Sequence, residues 1–314
     1  MKRGALIILA LALAAGFLMV RRRTLVRAEV FQGESAREVA RTLKSKGVIF
    51  SPLAFRVASR LTRWDRGLRP GVYVLKKGML SVEALWLLSH KEPESVRIVI
   101  PEGFRAKQIA ERLEANGVTK AEDFEAYVLA NRLEGYLFPT TYFFFQRLRA
   151  EEAAHRMHKE FEKEVLPEIQ KAGPPVRLSE YQIVTLASIV EREATKVEEK
   201  PMVAAVYLNR LARHQRLAAD PTIQYALGYW KRGLTLKDLH VVSPYNTYVH
   251  YGLPPGPICS PGVASVRAVL SPAKTKALYF VADGKGGHTF TDTFEQHLKA
   301  KFKAKRDRRH PPAS

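Results

Sequence analysis

The sequence predicts an α+β fold in two parts behind an apolar N-terminal segment, and three observations predict it. An uncharged run, Gly4 to Val20, follows the basic start Met1-Lys2-Arg3. Short alternating β and α patterns then fill residues 27 to about 118. Longer amphipathic helical patterns follow and lead to a hairpin near the C-terminal end. At 314 residues and 46% hydrophobic content the chain has room for two domains and enough apolar mass for a core, which excludes global disorder. A net charge of +20 points to an anionic environment, whether nucleic acid, anionic lipid or an acidic envelope polymer, and charge alone does not choose among them.

As a helix, the run Gly4–Val20 would be about 25 Å long, the lower limit for crossing a bilayer. It reads as an uncleaved membrane anchor. A cleaved signal peptide is the rival reading, favoured by Ala14-Ala15-Gly16. Arg21, Arg22 and Arg23 outweigh Lys2 and Arg3, so the positive-inside rule alone would put the bulk of the protein in the cytoplasm. Cys259 is the only cysteine, which excludes an intrachain disulfide and a multi-cysteine metal site.

Ala28–Phe31 reads as a strand, Gly33 as a turn, and Ser35–Lys46 as a helix burying Val39, Ala40 and Leu43, closed by Gly47. A second unit has the strand Gly71–Leu75, a turn at Gly78 and a helix from Ser81. A third repeats the first at an offset of 70 residues: Gly33, Ala36, Ala40, Leu43, Gly47 and Val48 match Gly103, Ala106, Ala110, Leu113, Gly117 and Val118. The segment Leu133–Phe145 is dense in aromatics around one acid, Glu134. A charged helix is expected over Glu151–Lys171, with Phe161 and Leu166 turned inward.

The next helix opens on a capping box, Ser179 and Gln182, and carries a broad apolar arc from Ile183 to Ala194. Arg192 falls opposite that arc, and Glu191 and Glu193 fall at its two edges. Pro201 opens a further helix, Ala219–Tyr225 starts a short one, and a loop rich in Pro and Gly runs from Ser243 to Gly262. A helix through Val266 and Leu270 precedes two strands, Ala277–Val281 and one through His288 and Thr291, read as a hairpin. The basic tail after Lys299 is expected to fray.

The chain has no GxSxG nucleophile motif, no phosphate-binding loop and no HExxH or similar metal spacing, so neither metal nor cofactor is expected. What remains is a glutamate beside loops rich in Tyr, Asn and Gly, a combination suited to carbohydrate. A carboxyl buried by helix packing has a raised pKa and can act as a general acid. For Glu191 and Glu193 alike, a salt bridge to a neighbouring Lys or Arg is the competing reading. Taken singly, Glu134 reads as a structural acceptor for backbone or tyrosine donors, Asn246 as a turn residue and His288 as a strand-edge residue.

Together these segments resemble the membrane-anchored endolytic murein transglycosylases, the MltG or YceG-like family. The resemblance rests on six blocks in the family's order: Leu133–Tyr142, Ala187–Ala194, Ala204–Leu211, Asp220–Leu227, Ser243–Gly262 and Gly287–Leu298. It implies a short cytoplasmic start (1–3), a transmembrane helix (4–20), a LysM-like βα domain (27–95), a larger mixed α+β catalytic domain (96–298) and a basic tail (299–314). Glu191 matches the family's catalytic residue. Glu193, Glu134, Tyr136, Asp220, Gln224, Tyr245, Asn246, Tyr248 and His288 are the candidate substrate-binding residues. Thr140, Cys259-Ser260 and Gln296-His297 depart from the usual pattern. The implied substrate is the peptidoglycan glycan strand, the implied place the plasma membrane with the catalytic part on its outer side, and cell-wall synthases are candidate partners. Nucleic acid is not an expected partner, since no recognisable nucleic-acid motif is present. A non-catalytic peptidoglycan-binding anchor is the alternative function.

Overall fold

The structure is a computed structural model that describes residues 24–309 apart from 32, 92, 172–177, 232 and 285. The expected anchor over 4–20 lies outside the described residues. Among those, no helix is long and apolar enough to cross a membrane. The fold is mixed α and β, in two compact units. The first holds the described residues through Ile98 with 116–118 and 142–148, and the second holds 99–115, 119–141 and residues from 149 onward.

In the first unit, β1 (Leu25–Val30) pairs antiparallel with β2 (Gly71–Lys76), in register from Leu25 opposite Lys76 to Val30 opposite Gly71. Helix α1 (Ala36–Ser45) carries a full capping box: the Ser35 hydroxyl accepts from the Glu38 N–H, and the Glu38 carboxylate accepts from the Ser35 N–H. Its buried residues are Val39, Ala40 and Leu43, as the sequence predicts. They pack with Phe55 of α2 (Pro52–Thr62), Leu85 and Leu88 of α3 (Ser81–His90), and Tyr73 and Leu75 of β2. Each such side chain contributes roughly 1.5–3 kcal/mol by leaving water. The sequence reading leaves α2 unassigned, because its apolar residues lie on two faces: Phe55 is buried, whereas Leu53, Val57 and Leu61 are exposed. β3 (Val96–Val99) pairs with β4 (Thr141–Phe144).

The second unit begins with 99–115, which carry most of the repeat noted in the sequence; its last residues, Gly117 and Val118, belong to the first unit. Gly103 and Gly33 have φ of +77° and +85°, and Gly117 and Gly47 have +69° and +70°. The matched glycines therefore hold matched left-handed turns at either end of α1 and of α4 (Ala106–Ala115). α5 (Ala121–Ala130) follows, then α6 (Ala150–Glu164) and α7 (Leu166–Lys171), which divide the single helix expected there. The centre of the unit is α8 (Glu180–Glu193), capped by Ser179 and Gln182, with every residue from Ile183 to Val190 buried. It packs against α9 (Lys200–Ala212), which has Pro201 in its first turn, and against α11 (Val263–Leu270), which follows α10 (Asp220–Leu227) in the chain. The antiparallel hairpin of β5 (Tyr279–Ala282) and β6 (His288–Thr291) is the one expected. The tail does not fray at Lys299: α12 runs from Phe294 to Arg309. Its Lys, Arg and Ala residues are strong helix formers, and Ala304 is buried.

Candidate active site

Two residues apart near the end of α8, Glu191 and Glu193 point to different sides of the helix, as 100° per residue requires. Glu191 has 8% of its side chain exposed and accepts from three donors. The Lys200 ammonium lies 3.0 and 3.1 Å from its two oxygens. The Gly262 N–H and Ser265 hydroxyl reach Oε2 at 3.0 and 2.6 Å. Lys200 comes from the first turn of α9 and is almost wholly buried, so the two form a buried ion pair between the packed helices α8 and α9. Removing one member of such a pair strands the other charge.

A second carboxylate shares that ammonium. Glu102 Oε2 is 3.8 Å from Lys200 Nζ, and its side chain is half exposed. Gly262 must be glycine for Glu102 to sit there: a Cβ on it would stand 1.8 Å from Glu102 Oε1. Burial, and then the charge of Glu191, hold the Glu102 carboxyl above the usual glutamate range, while Lys200 pulls it back. Glu102, Lys200 and Ser265 are absent from the residues singled out by sequence. Glu102 precedes Gly103 of the repeat, which marked the turn and hid the acid beside it.

Glu193 faces a different group. The Tyr207 hydroxyl, buried on α9, donates to it at 2.7 Å. Burial pushes the Glu193 carboxyl up to about 7, against the pull of that hydrogen bond. Asp220 adds to the rise, and His288 and Arg210 oppose it, so these charges surround Glu193. The Tyr248 hydroxyl donates to Asp220. His288 is fastened to Glu199 by its N–H at 2.9 Å and its Nδ1 at 2.6 Å. Glu193, Asp220, Tyr248 and His288 are thus one cluster.

Glu134 and Tyr136 belong to a third grouping, an open cavity of about 1400 Å³ whose wall also includes Arg105, Tyr181, Tyr225 and Tyr245. Glu134 Oε1 accepts from the Ala106 N–H at 3.0 Å, and burial pushes its carboxyl up to about 7. The Tyr225 and Tyr245 rings stand 4.7 Å apart, and Tyr136 stacks with Tyr181 at 6.3 Å. The turn segment 102–104 joins this cavity to the ion pair. Gly103 donates to the Ser260 carbonyl and Ser260 to that of Phe104, so Glu102 lies at one end beside Glu191, and Arg105 lines the cavity wall at the other. Cys259 lies between, feeling the charges of Glu191, Arg192, Glu134 and Arg105.

The two remaining candidates are engaged within the fold. The Gln224 side chain brackets Lys231, donating to its carbonyl and accepting from its N–H. Fully buried Asn246 donates to the carbonyls of Leu239 and Val241 and accepts from the Tyr248 N–H, which sets Tyr248 toward Asp220. No group of His, Cys, Asp and Glu among the described residues has the geometry of a metal site.

A sequence profile of the YceG-like family matches residues 28–303. An endolytic murein transglycosylase of Bacillus subtilis (strain 168) is 33% identical, covering 90% of this chain and 85% of that protein. A protein of the same description from Streptococcus pneumoniae serotype 2 (strain D39 / NCTC 7466) is 29% identical over 82% of this chain, which spans 54% of that longer relative. A crystal structure of a YceG-like protein from Listeria monocytogenes superposes with a TM-score of 0.58 at 32% identity, covering 88% of this chain and 98% of that one. The match runs through both units and includes the helix that carries Glu191 and Glu193: the chain belongs to the YceG-like family.

Proposed function

We propose that this chain is an endolytic lytic transglycosylase of peptidoglycan, cutting the β-1,4 bond between N-acetylmuramic acid and N-acetylglucosamine within glycan strands, with Glu191 as the catalytic residue. The relatives described as endolytic murein transglycosylases support the reaction class. The observation that carries the residue assignment is the setting of Glu191: one carboxylate held by Lys200, Ser265 and the Gly262 N–H, beside a tyrosine-lined cavity suited to sugar rings.

Cleavage needs a proton on the leaving oxygen and a base for the attacking hydroxyl. In a lytic transglycosylase the C6 hydroxyl of N-acetylmuramic acid attacks its own C1, the glycosidic oxygen leaves with a proton, and a 1,6-anhydro ring forms without water. One carboxyl serves both steps: it gives its proton to the leaving oxygen and then takes the hydroxyl proton. Half-exposed Glu102, whose carboxyl is held above the usual glutamate range by burial and then by the charge of Glu191, is the proton's resting place at the solvent edge, 3.8 Å from the Lys200 ammonium. Glu193 and its cluster, with Glu134, Tyr136 and Tyr245, position the strand, and Gln224 and Asn246 brace the segments that bear them.

On this reading the run Gly4–Val20 anchors the chain in the plasma membrane with both units on the cell-wall side. Residues 27–95 are a LysM-like glycan-binding domain and 96–298 the catalytic domain. Nascent strands leaving a cell-wall synthase are then the nearest substrate, and cutting them ends their elongation. The test is a digest of uncrosslinked strands by the full chain, with product masses measured. Anhydro ends are expected. Reducing ends would mean hydrolysis through a second carboxylate, and intact strands would sink the enzyme reading.

A further inference from the structure

The first unit exposes an apolar face that the proposed reaction does not use. On α2, Leu53, Val57 and Leu61 recur every fourth residue, and on α3 Val82 and Trp86 do the same. All five are exposed, Leu61 to 81%, and so is Leu80 just before α3. At four-residue spacing each set forms one exposed stripe, on α2 opposite buried Phe55 and on α3 flanking the arc of buried Leu85 and Leu88. The two helices run side by side in the same direction. The Ser81 hydroxyl at the start of α3 donates to the Ser51 carbonyl at the start of α2. At their far ends Trp64 meets His90 edge-on, with ring centroids 5.2 Å apart. The two exposed stripes thus lie on neighbouring parallel helices, and exposed apolar surface of this kind marks a docking surface.

Two observations say what covers it. The first is charge: residues 50–67 hold Arg56, Arg60, Arg63 and Arg66 against a single acid, Asp65, so the apolar stripe of α2 has a cationic border. An apolar face with aromatic and leucine side chains and a basic rim suits the headgroup boundary of an anionic bilayer. The second is where the chain enters. The Thr24 carbonyl accepts from the Lys77 N–H at 2.9 Å, and neighbouring Gly78 lies against the Phe50 ring, 3.3 Å from where its Cβ would be. Residue 24 thus enters at the same corner as Phe50, Leu80 and the starts of α2 and α3. The apolar run ends at Val20, and four residues reach at most about 14 Å. A run held in a bilayer holds this corner at its surface.

We propose that the face formed by Leu53, Val57 and Leu61 of α2 with Leu80, Val82 and Trp86 of α3 docks on an anionic lipid bilayer. The proposal rests on the anchor reading of residues 4–20, and it gives the first unit a membrane-facing side that fixes how the anchored chain stands on the bilayer.

The experiment places an environment-sensitive fluorophore on Leu61→Cys in the full chain, reconstituted into vesicles with or without phosphatidylglycerol. Native Cys259 is fully buried and does not compete for label. In anionic vesicles the emission shifts to the blue and is quenched at least about twofold by brominated lipid, and a label at exposed Leu129→Cys shows neither change. Adding Arg56→Glu and Arg60→Glu returns the Leu61 label to a water-like signal. Three results would overturn the proposal: a water-like signal in anionic vesicles that float with the protein, equal burial in neutral vesicles, or burial that follows protein density, which would name a second copy as the occupant. Failure of the chain to float with vesicles would overturn the anchor reading along with it.

Discussion

Glu191 and Glu193 are alike in the sequence, two acids on the two edges of one apolar arc, and the structure gives them opposite environments. Glu191 has a buried ammonium shared by its two oxygens and two further donors, the Gly262 N–H and the Ser265 hydroxyl. Glu193 accepts from a tyrosine hydroxyl and has a carboxyl raised to about 7 by burial. The raised acids carry a stability signature. Glu193 and Glu134, each pushed up from 4.5 to about 7, bind protons more tightly folded than unfolded. Their contribution is complete below pH 4.5 and is lost as pH rises through 7. Thermal unfolding followed across pH 4.5 to 8 is therefore expected to show Glu193→Gln flattening part of the wild-type decline and gaining a few degrees at the alkaline end. A parallel decline in the variant would count against the assignment. Glu102→Gln removes the proton's resting place. Steady-state rates on glycan strands should fall about tenfold and lose their dependence on the alkaline limb. An unchanged pH profile would leave Glu102 no part in the reaction.

At the scale of elements, legibility followed pattern. The capping box at Ser179, the buried trio Val39, Ala40 and Leu43, the proline in the first turn of α9 and the β5–β6 hairpin were all readable, because each is set by residues close in sequence. The pairing of β1 with β2 was not readable, since it joins strands about 40 residues apart and no local signal specifies it. Nor was α2, whose two apolar faces blur a single helical stripe. The same limit hid Lys200 and Ser265, whose meeting with Glu191 depends on how α8, α9 and α11 pack. Two glycines test that packing in contrasting ways. Gly135 has φ of +84°, and a Cβ there would stand 2.4 Å from the Pro257 ring, so Gly135→Ala should cost about 2 kcal/mol or more in denaturant unfolding. At Gly262 the obstacle is the flexible end of Glu102, so Gly262→Ala should displace that carboxylate and cut activity with little loss of stability. Equal destabilisation by both would contradict the picture of Glu102 resting on Gly262.

For the whole molecule, the +20 net charge is the property read most directly from composition and explained last. On the proposed reading it suits attraction to anionic lipid and anionic wall polymers, and such attraction is screened by salt. Binding of the full chain to isolated cell walls should weaken several-fold between about 0.05 and about 0.5 M NaCl. Binding indifferent to salt would assign the charge another role. The family and the mixed α+β class were legible in the six blocks, which span most of the second unit. The spatial sorting of their polar residues into an ion pair, a cluster around Glu193 and a tyrosine-lined cavity was not, because it depends on contacts between distant segments. The central claim remains that Glu191 carries the cleavage, and its most direct measurement compares wild type with Glu191→Gln, matched for folding by circular dichroism, on the same uncrosslinked strands. The account predicts that anhydro ends fall by about a thousandfold in the variant. Strand cleavage persisting at the wild-type rate would contradict it.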